Sequence, residues 1–162
     1  MDEPEIELGT IKLAPKDTFR ILIMDTEAHT EQLKKVCKGM GHNVIAAHTI
    51  TEAFAFLDGR DHADVIVCAA YMEDESMFEF LRRLRKDPVH KKTMFMIMAL
   101  EPGPFATKLN ASVESAGKAL GADVFISMPV FDAAQLIAEI EKLLPLVPAL
   151  EKSRLAKESK AI

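Results

Sequence analysis

Phe19-Arg20-Ile21-Leu22-Ile23-Met24-Asp25 and Ala63-Asp64-Val65-Ile66-Val67-Cys68 are the two stretches that decide the fold. Each is a short, mostly apolar run, and the first ends on an acid. Strands that are apolar on both sides are covered on both sides, as in a parallel sheet held between helical layers. Working outward, residues 28–40 read as a helix with Leu33, Val36, Cys37 and Met40 on one face and Gly41 as its stop. Val44–Ala47 reads as a short strand. Thr49-Ile50-Thr51-Glu52 is a capping box ahead of a helix carrying Ala53, Phe54, Phe56 and Leu57 and ending at Gly59. A helix over about 74–86 places Met77, Phe80, Leu81 and Leu84 on one face and Arg82, Arg83, Arg85 and Lys86 largely on the other. Met94–Leu100 is a further buried strand. Pro102 and Pro104 break the chain after it, and the next helix is expected from about Asn110 to Leu120, with Gly121 ending it. Val124-Phe125-Ile126 is the last strand, and Asp132 caps a closing helix through Leu144.

The predicted order is βαβαβαβαβα. Right-handed crossovers turn that order into a doubly wound α/β sandwich. Ligands in such folds sit outside the carboxyl ends of the strands, where the strand order reverses. The residues at those ends are Asp25, Ala69, Ala99 and Ser127.

Composition agrees with one globular domain. The chain has 162 residues, of which 49% are hydrophobic and 28% charged, enough for a core of its own. A net charge of -5 and the lack of tryptophan argue against a role resting on nucleic-acid binding. Cys37 and Cys68 lie in apolar patterns, read as buried thiols, and fit a reducing compartment. With no long apolar run and an acidic N-terminus, a cytoplasmic location and no membrane association are expected. Residues 1–18 form an N-terminal arm, read either as a short hairpin or extended arm or as a disordered leader. Residues 19–144 form the domain. Residues 145–162 form a charged tail, either a solvated end or a docking segment, and no DNA-binding domain is expected in the 18 residues after Leu144.

The strand ends and their spacing resemble the receiver domain of two-component response regulators, the CheY-like, flavodoxin-like (βα)5 fold with strand order 2-1-3-4-5. The segments that carry the resemblance, over roughly residues 19–144, are Phe19–Asp25, Ala63–Cys68 with Met72, Phe78–Arg85, Leu120–Asp123 and Met128-Pro129-Val130. The resemblance implies signalling by phosphoryl transfer onto an aspartate, with Mg²⁺ held by acids at the end of the first strand. It also shows where this chain departs. The phosphoacceptor position is Ala69, and a methyl group cannot attack phosphorus. Asp25 matches the first acid, but the second falls at Thr26. The hydroxyl residue that senses the phosphoryl group falls at Ala99, followed by Leu100. The conserved lysine falls at Met128, with its cis-proline neighbour matched by Pro129. Ala69, Ala99, Leu100 and Met128 are expected to form an apolar patch in place of a charged pocket. Asp25 alone is a thin Mg²⁺ site, so no cofactor is expected. Asp25 itself reads as a cap on nearby backbone or as a remaining cation ligand.

The implied function is that of a pseudo-receiver: no enzyme, and a protein-interaction module. Its implied partner is a histidine kinase, another signalling protein or a second copy of the chain. The alternative is an atypical receiver still switched by phosphorylation at Asp25, Glu73 or Asp74, or by a small ligand in the altered pocket. The 29 positions from Ala99 to Met128 exceed the usual receiver spacing, the extra residues lying within 101–110. Pro102, Pro104, Phe105 and Lys108 therefore mark a candidate interaction region, beside the surface that receivers commonly use for partners; a tolerated surface loop is the competing reading. The five histidines show no metal-ligand spacing. His29, near Asp25, either approaches the acidic pocket or is a surface residue. The arginine cluster of 82–86 is a solvated helix face or a binding surface. No phosphate-cradling glycine loop is present.

Overall fold

A computed structural model describes residues 20–58 and 63–143. The N-terminal arm, the charged tail, Gly59 and His62 lie outside the described residues.

The elements alternate without exception: β1 (Arg20–Met24), α1 (Glu27–Gly39), β2 (Asn43–Ala47), α2 (Ile50–Leu57), β3 (Val65–Ala69), α3 (Met77–Lys86), β4 (Met94–Leu100), α4 (Pro104–Ala119), β5 (Val124–Met128) and α5 (Ala133–Leu143). The five strands form one sheet in the order β2-β1-β3-β4-β5, with every neighbouring pair parallel. This is the architecture expected from the sequence. β1, β3 and β4 occupy the middle of the sheet and are almost wholly buried. That explains why they read as unbroken apolar runs rather than alternating ones.

Alternation along each strand sorts the core into two layers. Leu22, Met24, Ile66, Cys68, Phe95, Ile97 and Ala99 face one way and pack with α2 and α3 residues such as Phe54, Phe80 and Leu84. Ile21, Ile23, Val65, Val67, Met96, Met98, Leu100 and Met128 face the other way, against Leu33 and Cys37 of α1 and Leu136 and Ile140 of α5. Phe80 centres the first layer, edge-on to Phe54 at 5.5 Å and tilted to Phe95 at 5.8 Å.

Capping sets most helix starts. The Thr26, Thr49 and Ser76 side chains accept from the backbone N–H three residues on, and Asp132 does the same for Gln135. The box at Thr49 is altered: Glu52 accepts the N–H of His48, one residue before the cap. Gly41, at φ 92, lets the chain leave α1 in a left-handed conformation.

Two expectations need correction. α4 begins at Pro104, so residues 104–110 are helix rather than an inserted loop. Pro104 does not break the chain there. It stands in the first turn, where its missing N–H has no intrahelical partner to lose, and Gly103 precedes it as N-cap. The bond before Pro129 is not cis; no cis peptide bond occurs among the described residues. There the Met128 carbonyl accepts the N–H of Glu101 at 2.7 Å, extending the β4–β5 pairing past the last register pair.

Candidate functional site

The strand order reverses between β1 and β3, and a cleft of about 570 Å³ opens at their carboxyl ends. Topology alone places a crevice there, because α1 leaves one side of the sheet and the next crossover leaves the other. The β1–α1 turn supplies Asp25, Thr26 and Glu27. The β2–α2 turn supplies His48 and Thr49. Ala69 and the segment after it supply Tyr71, Met72, Glu73, Asp74 and Glu75. Five carboxylates line the cleft, with no lysine or arginine among its lining residues. This corrects the expected apolar patch.

Of the six positions singled out for the altered pocket, Asp25, Thr26 and Ala69 line the cleft and Ala99, Met128 and Pro129 do not. The cause is alternation. Ala99 and Leu100 are adjacent on β4 and must face opposite layers. Ala99 packs toward α2 and α3, while Leu100 pairs across the ladder with Met128, and both sink into the α1–α5 layer. Met128 is 1% exposed. Pro129 is exposed in the turn behind β5.

Asp25 is the chemical centre of what remains. Its side chain is 5% exposed, and burial raises its pKa above the ordinary carboxylate value. The Thr26 N–H, donating to Oδ1 at 2.6 Å, and the neighbouring His29 pull in the opposite direction without overcoming burial. His29 does approach the acidic pocket: Nδ1 lies 3.1 Å from Asp25 Oδ1 and Nε2 lies 3.3 Å from Glu101 Oε1. The imidazole therefore bridges the start of α1 to the end of β4, where Glu101 takes a left-handed φ of 50. Thr26, at the second acidic position of receivers, caps α1 by accepting the His29 N–H at 3.3 Å.

Ala69 presents a methyl group at the end of β3 and is 7% exposed. Neither nucleophile nor metal ligand can come from its side chain. Cys68, one residue back, faces the other layer, and its wholly buried thiol has a raised pKa, with the Asp25 charge adding to the effect of burial. It is a core residue. Glu75 accepts the N–H of Ile50 at 2.8 Å and so acts as a clasp on the start of α2.

A polar chain that sequence patterns did not single out lies beside the cleft. The Tyr71 hydroxyl lies 2.6 Å from Asn110 Oδ1 and 2.8 Å from the Ala106 carbonyl, and its single proton serves one of these acceptors at a time. Asn110 Nδ2 donates to Ser127 Oγ at 3.1 Å. The chain ties the segment after β3 to α4 and β5. The one signal available was the polar Asn110 at a position where the helix must meet the sheet.

The candidate interaction region sits on the first two turns of α4. Phe105 is 76% exposed, with Leu109 one turn on at 39% and Val130 behind β5 at 75%. Lys108 and Pro104 are exposed and Pro102 is half-buried.

No family model matches the chain. It is 29% identical over 147 residues to the transcriptional regulatory protein TrcR of Mycobacterium tuberculosis, an alignment covering 90% of this chain and 53% of that protein. The chain thus spans about half the length of that relative. Among solved structures, it superposes on the chemotaxis response regulator CheY4 of Vibrio cholerae with TM-score 0.64 and 21% identity, over 78% of this chain and 98% of that one. It also superposes on the signal receiver domain of a signal transduction histidine kinase from Syntrophus aciditrophicus (TM-score 0.65, 22% identity, 80% of this chain and 92% of that one). NtrX of Brucella abortus gives TM-score 0.67 at 20% identity, over 89% of this chain and 29% of that one. The fold is therefore the CheY-like receiver fold. Among the described residues no helix is long and apolar enough to cross a membrane.

Proposed function

We propose that this chain is a pseudo-receiver: a receiver-type module of two-component signalling that binds a protein partner and does not take up a phosphoryl group. The observation that carries this reading is Ala69, a methyl group at the end of β3 in the crevice where a receiver needs its nucleophile. Supporting it, the position of the receiver lysine is Met128, sunk in the core, and the position of the second acid is a helix cap. The module is not an enzyme and needs no cofactor. It acts in the cytoplasm, without nucleic acid or membrane. Its partner is a signalling protein such as a histidine kinase, or a second copy of the chain, docking on α4 around Phe105. The test is incubation with acetyl phosphate and Mg²⁺, followed by intact mass measurement and peptide mapping. An unchanged mass is expected. A phosphorylated Asp25, Glu73 or Asp74 would overturn the reading and support the atypical receiver instead.

The second reading, a small-ligand switch, has one observation of its own: the cleft persists and is lined by carboxylates. A bound cationic molecule, released on denaturing the natively purified chain and detected by mass spectrometry, would favour it.

A further inference from the structure

The end of the sheet opposite the cleft holds a second group of donor atoms. Asp58 ends α2, Asp87 ends α3, and His90 lies in the turn leading to β4. One ligand atom from each lies within 4.8 Å of the other two. His90 Nε2 stands 3.2 Å from Asp58 Oδ1 and 3.8 Å from Asp87 Oδ2. The imidazole is 2% exposed, yet it aims this nitrogen outward at two carboxylates whose side chains are 59% and 34% exposed.

We propose that Asp58, Asp87 and His90 bind a divalent transition ion of the zinc class, which joins the end of α2 to the turn after α3. Three observations carry this. First, a single Nε2–H serves one carboxylate at a time. A cation in the gap satisfies both carboxylates and the ring nitrogen together. Second, the spacing fits. Metal–ligand bonds of about 2.1 Å in a tetrahedron put the ligand atoms about 3.4 Å apart. The observed 3.2 and 3.8 Å bracket that figure, and the carboxylates are exposed enough to rotate by the small remainder. Third, the ring is held in place. Phe54 packs edge-on against it at 6.4 Å, and Arg85 Nη1 donates to the His90 and Lys91 carbonyls at 3.4 and 3.1 Å. Two nearby cations are engaged elsewhere: Arg85 also pairs with Asp123, and Arg83 stacks on Phe54 at 4.4 Å.

One nitrogen and two carboxylates suit zinc-class ions, whereas Mg²⁺ prefers oxygen alone. The exposed side of the group leaves room for water to complete the coordination.

The test uses the full chain, stripped with a chelator and titrated with ZnCl2 by calorimetry, with the His90 ring followed by NMR. One zinc ion per chain is expected, with the His90 resonances shifted and no competition from millimolar Mg²⁺. Asp58→Asn and Asp87→Asn should each weaken binding more than about ten-fold, the minimum seen even for residues that only orient a ligand. Asp25→Asn should leave it unchanged. Both Asp58 and Asp87 are exposed enough for amide replacement to preserve folding, so the test does not depend on a His90→Gln chain that folds. Absence of zinc binding, or zinc binding indifferent to Asp58→Asn and Asp87→Asn, would overturn the proposal.

Discussion

Replacing Tyr71 with phenylalanine tests how the extended start of α4 is held. The helix fully buries only Val113 and Gly117, both in its second half. Its first two turns have no buried apolar anchor, and Phe105 and Leu109 point outward. The Tyr71 hydroxyl fastens this segment to the rest of the fold through the Ala106 carbonyl and Asn110, which reaches on to Ser127. Phenylalanine keeps the ring and removes the hydroxyl. A net hydrogen bond contributes about 1 kcal/mol, and leaving a half-buried Asn110 Oδ1 without its donor adds a similar amount. The expected loss is therefore about 1–2 kcal/mol. That corresponds to a fall in Tm of roughly 3–8 °C for a domain of this size. Chemical denaturation measures the loss, and hydrogen exchange locates it: amides of α4 near 107–111 should exchange faster, while those of β3 and β4 follow global stability. Asn110→Ala should cost a similar amount, and Tyr71→Phe combined with Asn110→Ala should cost less than the sum because the two share one bond. An unchanged Tm with unchanged exchange in α4 would refute the idea that this hydroxyl anchors the helix.

Asp25→Asn should stabilise the chain at neutral pH. A carboxyl whose folded pKa is raised holds its proton more tightly when folded, so its contribution to stability falls as pH rises from the ordinary 3.8 through the raised value. The amide removes that loss, so the gain should be full above this window and vanish below it; urea melts at several pH values check the sign. The thiols should resist alkylation until the chain unfolds, because burial pushes Cys37 up to about 12 and Cys68 upward as well; mass spectra taken with and without denaturant check this. Met128→Lys should cost several kcal/mol, since it puts an ammonium into an apolar layer with Leu100 and Ile126. Ala69→Asp, which faces the cleft, should fold with a smaller loss; equal losses in the two would contradict the placement of residue 128.

Element order was legible in the sequence, because three central strands are apolar throughout and Thr49 and Asp132 mark helix starts through local chemistry; the strand order came with the receiver resemblance, and the caps at Thr26 and Ser76 emerged only in the structure. The start of α4 was not. Pro102, Gly103 and Pro104 read as chain breakers, yet a proline in the first turn favours a helix, and nothing within residues 101–110 separates the two cases before the helix docks. The site was half legible. Asp25 and Ala69 fall at strand ends that topology brings together, so the element pattern found them, and the receiver resemblance added Thr26. Ala99 and Met128 were misplaced because position along a strand was read without its facing. The His29 bridge and the Tyr71 chain depend on distances between segments remote in sequence, which no local pattern carries.

The cleft and the side chains that line it have separate origins. The crevice follows from strand order, so it persists whichever side chains line it. Reactivity needs particular atoms, and Thr26, Ala99 and Met128 do structural work: Thr26 caps α1, Ala99 packs against one layer and Met128 fills the other. The acids left at the rim have no lining lysine or arginine to balance them, and Asp25 relies on His29, which also reaches Glu101 beside the start of α4. That imidazole ties α1 to the β4–α4 turn. On the proposed reading, the surface around Phe105, exposed at the start of α4, is where a partner docks.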